Sequence, residues 1–353
     1  MQFGTSDEQQ LLQSTLRDFL AKECTPEFVR AGWESETGRS QELWRQLAEL
    51  GLPGLLVDEA LGGLGLDETS LVLLLEETGR AALAEPVIAS AAVAAPLLRE
   101  LDRPEFANAW LEKLAAGQAR IAVGHPANAF LADAHVADLL LLFRPGELHA
   151  LAPAEATLTR EAANDPSRRL HSISWTPREE SRIAHDERAT ALAAQAFERG
   201  ALACAAEALG VADRMIELAV AYAGSREQFG RPIGSFQAIK HMLADVKVKL
   251  EYSRPLVHRA AWSVAQALPS RGLHVSMAKL AACEAAGAAA RSSLQVHGAI
   301  GYTWEQDLHI WMRRAWSLDL CWGRREVHER RVREVLLDGR TPTGPGTTFE
   351  GGQ

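Results

Sequence analysis

A mostly helical protein with a small central β subdomain is what this chain predicts, on three observations. Leucines recur at helical spacing through the first hundred residues. Residues 118–189 break into short apolar runs divided by Gly, Pro, Asn and Asp. From Thr190 onward, long alanine-rich stretches run almost without proline. The division follows as an N-terminal helical domain (1–117), a reduced β domain (118–190), a C-terminal helical bundle (191–337) and a loose tail (338–353) rich in Gly, Pro and Thr.

The elements can be justified in order. Leu11, Leu12, Leu16, Phe19 and Leu20 share a helix face behind Ser6-Asp7-Glu8, a capping start. Leu43, Leu47 and Leu50 mark a helix closed by Gly51. A turn and short extended piece, 52–59, leads into the loop Gly62-Gly63-Leu64-Gly65. Asp67-Glu68-Thr69 opens a helix expected to stop at Gly79, and an alanine- and leucine-rich stretch follows Pro86, giving four or five helices. Strands are expected at 119–123, 137–143, 147–151 and 170–175. The bundle helices are expected at 191–223, 236–267 and 273–295, with a last stretch or pair over 304–337. Their small alanine faces allow close antiparallel packing.

Bulk properties narrow the function classes. The 353 residues carry a net charge of −9, which disfavours nucleic acid as a partner. No apolar run reaches the ~20 residues of a membrane span, and 1–8 lacks the pattern of a signal peptide. Cys24, Cys204, Cys283 and Cys321 have no metal-ligand spacing and read as buried free thiols of a cytoplasmic protein.

The most informative segment is 225–240, Ser-Arg-Glu-Gln-Phe-Gly-Arg-Pro-Ile-Gly-Ser-Phe-Gln-Ala-Ile-Lys, followed by His241-Met242-Leu243-Ala244-Asp245. Arg226 lies at a helix end and can aim its fork at a pyrophosphate. Phe236 and Gln237 open the next helix, where free N–H groups and the dipole favour anions. The second segment is 295–305, Gln-Val-His-Gly-Ala-Ile-Gly-Tyr-Thr-Trp-Glu. Its glycines allow main chain to approach a ligand closely. His297 and His309 read as structural histidines, and Glu305 and Asp307 as carboxylates at a helix start.

Both segments resemble signatures of the acyl-CoA dehydrogenase flavoproteins, and the order helical, small β, helical bundle is that family's order. The resemblance spans nearly the whole chain, is strong at the two C-terminal signatures, and fades in the middle. It implies FAD as cofactor, an acyl-CoA substrate and electron-transfer flavoprotein as acceptor. It further implies FAD contacts from Arg226, Gln228, Phe229, Phe236, Gln237, Gln295, Val296, His297, Gly298 and Ala299. Where the family often has a second glycine, this chain has Ala299.

Other parts of that pattern are missing. The family's glutamate base occupies one of two positions. Counted from Gln295, the first becomes Cys321-Trp322-Gly323; counted from Arg226, the second falls at Gly200. No catalytic residue is therefore assigned. Glu198 lies two residues from Gly200, about 200° round a helix, and Glu207 returns to the same face ~10 Å along the axis. The family's flavin-cupping loop and Trp-Ile-Thr strand are replaced, and 123–129 reads Val-Gly-His-Pro-Ala-Asn-Ala.

This selective loss resembles the smaller, base-less chain of bacterial α2β2 acyl-CoA dehydrogenases of steroid side-chain degradation. Residues 165–170, Asp-Pro-Ser-Arg-Arg-Leu, resemble a recurring string in such chains. The resemblance implies a larger homologous partner that supplies the base. Two alternatives stay open: a self-sufficient homo-oligomer using Glu198 or Glu207, and a non-enzymatic acyl-CoA-binding scaffold.

Overall fold

The computed structural model describes residues 4–338; the remainder of the expected loose tail, 339–353, lies outside the described residues. Helices α1 (Asp7–Glu23), α2 (Pro26–Glu34), α3 (Gln41–Glu49), α4 (Glu68–Arg80), α5 (Ala95–Arg99) and α6 (Pro104–Ala115) build the N-terminal layer. That is six helices where four or five were expected. Thr25 caps α2, a helix absent from the expected set, and Arg103-Pro104 starts α6 as a separate helix. Ser6 caps α1 in a reciprocal box with Gln9. Residues 52–59 form turns rather than an extended piece, because Leu64, Gly65 and Leu66 fold back onto their carbonyls.

Gly79 is not a helix stop. Helix α4 continues to Arg80, and a Cβ on Gly79 would stand 2.0 Å from the Glu207 carbonyl oxygen. Glycine is there because two helix backbones touch, α4 against α7 (Asp186–Ser225).

The strands are β1 (Ile121–Gly124), β2 (Leu131–Ala132), β3 (Leu139–Arg144), β4 (Glu147–Leu151), β5 (Ala156–Glu161), β6 (Leu170–Trp175) and β7 (Arg182–His185). They form two sheets, in the orders β1-β3-β4-β7 and β2-β6-β5, with β1 parallel to β3. The unbroken leucine run of β3 has a physical cause. Leu139 and Leu141 enter the main helical core, whereas Leu140 and Leu142 enter the core between the sheets. A strand buried on both faces needs no polar alternation. Strand β5, Ala-Thr-Leu-Thr-Arg-Glu, escaped sequence notice because it is an edge strand with largely exposed polar positions.

The bundle comprises α7, α8 (Gln237–Ala265), α9 (Arg271–His297), α10 (Leu308–Leu320) and α11 (Arg325–Leu337). Helix α9 packs against both α7 and α8 through Ala278, Ala282, Ala286 and Ala289, all buried. The expected last stretch or pair is a pair, divided by the turn at Cys321-Trp322-Gly323.

Residues 165–170 lock the layers together. Asp165 forms a buried ion pair with Arg314 of α10 at 2.6 Å. The Ser167 hydroxyl accepts from the Trp33 indole at 2.7 Å, and Arg169 donates to the Gly32, Trp33 and Ser35 carbonyls. A single β-domain segment thereby ties the sheets to α2 and to the bundle.

Candidate functional site

Two separate regions hold the residues singled out by sequence. The first is a corner at the far end of α7. There Arg226 is the C-cap residue, and a short hairpin follows, β8 (Glu227–Gln228) and β9 (Arg231–Pro232). Its tip, Phe229-Gly230, has φ of 55° and 76°, the doubly left-handed form that suits a tight hairpin. Phe229 is 92% exposed. An exposed phenylalanine held in left-handed backbone costs the isolated protomer on both counts.

The Arg226 side chain is exposed and forms no ion pair among the described residues. Phe236, the N-cap of α8, is half-buried between Phe229, edge-on at 6.1 Å, and the Arg231 guanidinium, 4.2 Å from its ring centroid. Gln237 is exposed in the first helical turn, where N–H groups lack intrahelical acceptors. Arg231 was not singled out in the sequence; its signal was the second arginine of the string, in the Gly-Arg-Pro turn.

The 295–299 loop joins this corner. Val296 packs with Ala219, Ala223 and Leu243, the cluster that also holds Ile233 and Ile239. The buried His297 stacks on Tyr222 at 4.5 Å and its Nδ1 meets the Ser293 carbonyl, so its side chain braces the loop. Gln295 and Ala299 are exposed, and Gly298 has φ of 62° with open space where a Cβ would be. Both signatures therefore present donors, a cation and ring faces on one surface. That set fits a pyrophosphate-linked adenosine.

The second region surrounds Trp322. A Cβ on Gly200 would lie 2.1 Å from the indole, so α7 at Gly200 and the turn after α10 are in direct contact. Trp322 itself has φ of 54°. Its backbone N–H donates to Asn128 Oδ1 at 2.7 Å, and its backbone carbonyl accepts from His328 Nε2 at 3.0 Å. His125 packs 5.4 Å from the indole, and burial lowers its pKa. Asn128 and His125 stood in the 123–129 string without an assigned role, because Trp322 lies almost two hundred residues further along the chain; His328, six residues from Trp322, carried no signal in the sequence.

Both candidate carboxylates have partners within the chain. Glu198 is held by Arg271 at 2.7 Å and Arg331 at 3.5 Å. Glu207 is buried and accepts from the Thr78 hydroxyl at 3.2 Å. Burial pushes its carboxyl up, against the opposing charge of Arg314. It also lines a cavity of about 90 Å³ together with Trp322, Cys321 and Arg168.

The two regions are far apart. From Gly200 to Arg226 along continuous α7, helical rise gives about 39 Å.

Comparison with known proteins matches residues 6–118 to the acyl-CoA dehydrogenase N-terminal domain and 190–337 to the C-terminal domain. The strand region lies between the two matches. The acyl-CoA dehydrogenase IpdE2 of Mycobacterium tuberculosis is 34% identical over 331 residues, covering 93% of this chain and 98% of that protein. The crystal structure of the ChsE4-ChsE5 complex from Mycobacterium tuberculosis superposes with a TM-score of 0.83 at 26% identity, covering 97% of this chain and 100% of that one. Butyryl-CoA dehydrogenase from Megasphaera elsdenii superposes with a TM-score of 0.86 at 23% identity, over 96% of this chain and 100% of that one.

Proposed function

The chain belongs to the acyl-CoA dehydrogenase family, and we propose that it is the half-site subunit of an FAD-dependent dehydrogenase acting on an acyl-CoA thioester. FAD is the family's cofactor and, when bound, accepts the hydride lost from the substrate. In this reading a larger homologous chain supplies the glutamate base and most of the acyl pocket.

One observation carries the reading. The indole of Trp322 rests on Gly200, so the two positions at which the family pattern places a base coincide in space and hold no carboxylate. Removing a proton α to a thioester needs a positioned base, and this chain offers none there. Its exposed corner would instead lend Arg226, Arg231, Phe236, Gln237 and the 295–299 backbone to a cofactor whose reactive ring lies in the neighbouring chain. A corner about 39 Å from the protomer's own Trp322 is suited to reach outward. The likeness to one chain of a two-component complex supports a hetero-oligomer, α2β2 in our reading. The substrate, on the same resemblance, is a bulky acyl group of steroid side-chain degradation, with electron-transfer flavoprotein as acceptor. The four buried free thiols agree with a reducing cytoplasm.

A second reading has one observation in its favour. Glu207 opens on the cavity beside Trp322 and its proton affinity is raised, as a base in a self-sufficient enzyme would require.

Purification of the chain alone, and again co-expressed with a longer homologue carrying the glutamate, separates the two. We expect colourless, inactive protein alone and a yellow, active complex together. A yellow, active homo-oligomer overturns the proposal.

A further inference from the structure

Lys279 of α9 is 2% exposed, and its ammonium forms no ion pair among the described residues. A buried lysine without a carboxylate is costly unless its three N–H groups find acceptors. Nζ donates to the Leu318 carbonyl, to the Asp319 carbonyl at 3.4 Å and to the Cys283 sulfur at 3.3 Å. Leu318 and Asp319 lie in the last turn of α10, where carbonyls run out of intrahelical donors. A lysine of one helix thereby closes the end of another. Cys283 sits one turn beyond Lys279 on the same face of α9, and the next residue, Glu284, is exposed.

We infer that Lys279 and Cys283 are a redox-sensitive pair that hydrogen peroxide closes into a covalent N–S bridge, uncapping α10. The thiol sulfur attacks one peroxide oxygen, the O–O bond breaks, and water leaves, so the sulfur becomes a sulfenic acid. The lysine nitrogen, after giving a proton to solvent, attacks that sulfur. The N–S bond forms, the S–OH bond breaks, and a second water leaves. Thiol, ammonium and peroxide thus give the bridge, two waters and a proton, and the sulfur supplies both electrons. Among the described residues Cys283 is the thiol that hydrogen-bonds an amine. Cys321 meets Arg168, whose guanidinium does not deprotonate, and Cys24 meets the Ala81 carbonyl. Burial pushes the Cys283 thiol up, and Lys279 pulls it back toward the reactive thiolate. Cys204 is 1% exposed and Cys283 8%, near enough to the surface for an oxidant little larger than water. The bridged nitrogen loses its charge and keeps one N–H for two carbonyls. The end of α10 should therefore loosen just before the Cys321-Trp322-Gly323 turn. The inference holds under either reading of the function above.

The test is exposure of the purified chain to hydrogen peroxide, then iodoacetamide, trypsin without reductant, and mass spectrometry. Trypsin cuts the untreated chain after Lys279. The bridge is expected to block that cut and to yield peptide 272–291 unalkylated and lighter by two hydrogens, oxygen taken up by Met277 being counted separately. Dithiothreitol should restore both the cut and the free thiol. Bridging should lower the melting temperature by about 2–4 °C, reversibly, as the α10 carbonyls lose their donor. Cys283→Ser should abolish both effects, and Lys279→Arg should allow sulfur oxidation without a bridge. If Lys279→Arg does not fold, Cys283→Ser decides. The inference is overturned if Cys283 stays alkylatable, if Lys279 is still cut once Cys283 is oxidised, or if Cys283 is joined to another cysteine. An equal fall in melting temperature in Cys283→Ser overturns it as well.

Discussion

The indole of Trp322 lies flat on the backbone of Gly200: three of its ring carbons, Cδ2, Cε2 and Cε3, stand 2.1, 2.4 and 2.6 Å from where a Cβ on Gly200 would be. The glycine in the middle of a long helix and the tryptophan in a left-handed turn explain one another. Each would be unfavourable alone, glycine for helix entropy and tryptophan for its backbone.

Substituting either residue tests this contact. Gly200→Ala gains up to about 1 kcal/mol of helix propensity but forces the indole out, at roughly 1–3 kcal/mol, and a net loss of stability is expected. Trp322→Ala should cost about 3–5 kcal/mol. In the double variant the new methyl enters space the indole has left, so the combined loss should be smaller than the sum. Urea denaturation of the four proteins measures the coupling, and strict additivity would show that the two do not touch.

Arg226→Ala should lower the flavin content of the complex while leaving the fold intact, since the side chain is exposed and makes no ion pair among the described residues. Losing a charge-assisted pyrophosphate contact is worth about 1.5–3 kcal/mol, or roughly 10- to 150-fold in Kd. Flavin absorbance per mole of complex, titrated with FAD, reads the change.

Phe229→Gly separates folding from assembly. Glycine relieves the left-handed backbone at a residue 92% exposed, so the chain should be no less stable. If a neighbouring chain covers the ring, association should weaken by about 2 kcal/mol, as for buried aromatic anchors. Sedimentation velocity distinguishes the two effects, and unchanged assembly would mean that Phe229 meets no partner.

The two glutamates should respond in opposite directions. Glu198→Gln breaks the pairs with Arg271 and Arg331 and should destabilise the chain. Glu207→Gln removes a carboxyl whose folded pKa is raised by burial; that group's contribution is present below its unfolded pKa and lost as pH rises through the folded one. At pH 7–8 the variant should therefore be more thermostable than the parent. Turnover of the complex should survive both changes, and its loss with Glu207→Gln would favour the second reading.

His328 supplies a pH dependence. Its pKa is lowered to about 4, chiefly by burial and then by Lys279. Since the folded value lies below the ordinary 6.5, the unfolded chain binds the extra proton between those limits. His328's contribution should be full above pH 6.5 and should be lost, by roughly 3 kcal/mol, as pH drops toward 4. His328 holds the Trp322 carbonyl, so acid should loosen that turn first. Melting temperatures of the parent and His328→Gln between pH 4 and 8 check this, the variant being flatter.

Much of the architecture was legible in residue order, because periodicity and capping are local. Ser6 with Gln9 starts α1, the alanine stretches become α7, α8 and α9, and the two signatures adjoin since both lie at helix ends of one bundle. Counting from Gln295 and Arg226 led to Trp322 and Gly200, two residues that the fold brings into contact. What linear reading could not supply was distance. Gly79 looked like a helix stop and is a point of backbone contact, because a glycine's role depends on what faces it. Residues 165–170 looked like a family string, yet only packing against α2 and α10 separates its arginine bound to backbone carbonyls of α2, Arg169, from the one that donates to Ser317 of α10, Arg168. Helix propensity and hydrophobic period are written in neighbouring residues. The meeting of Gly200 with Trp322, and their distance from Arg226, depends on how far apart helices can lie once their faces are buried, and only the folded chain decides that.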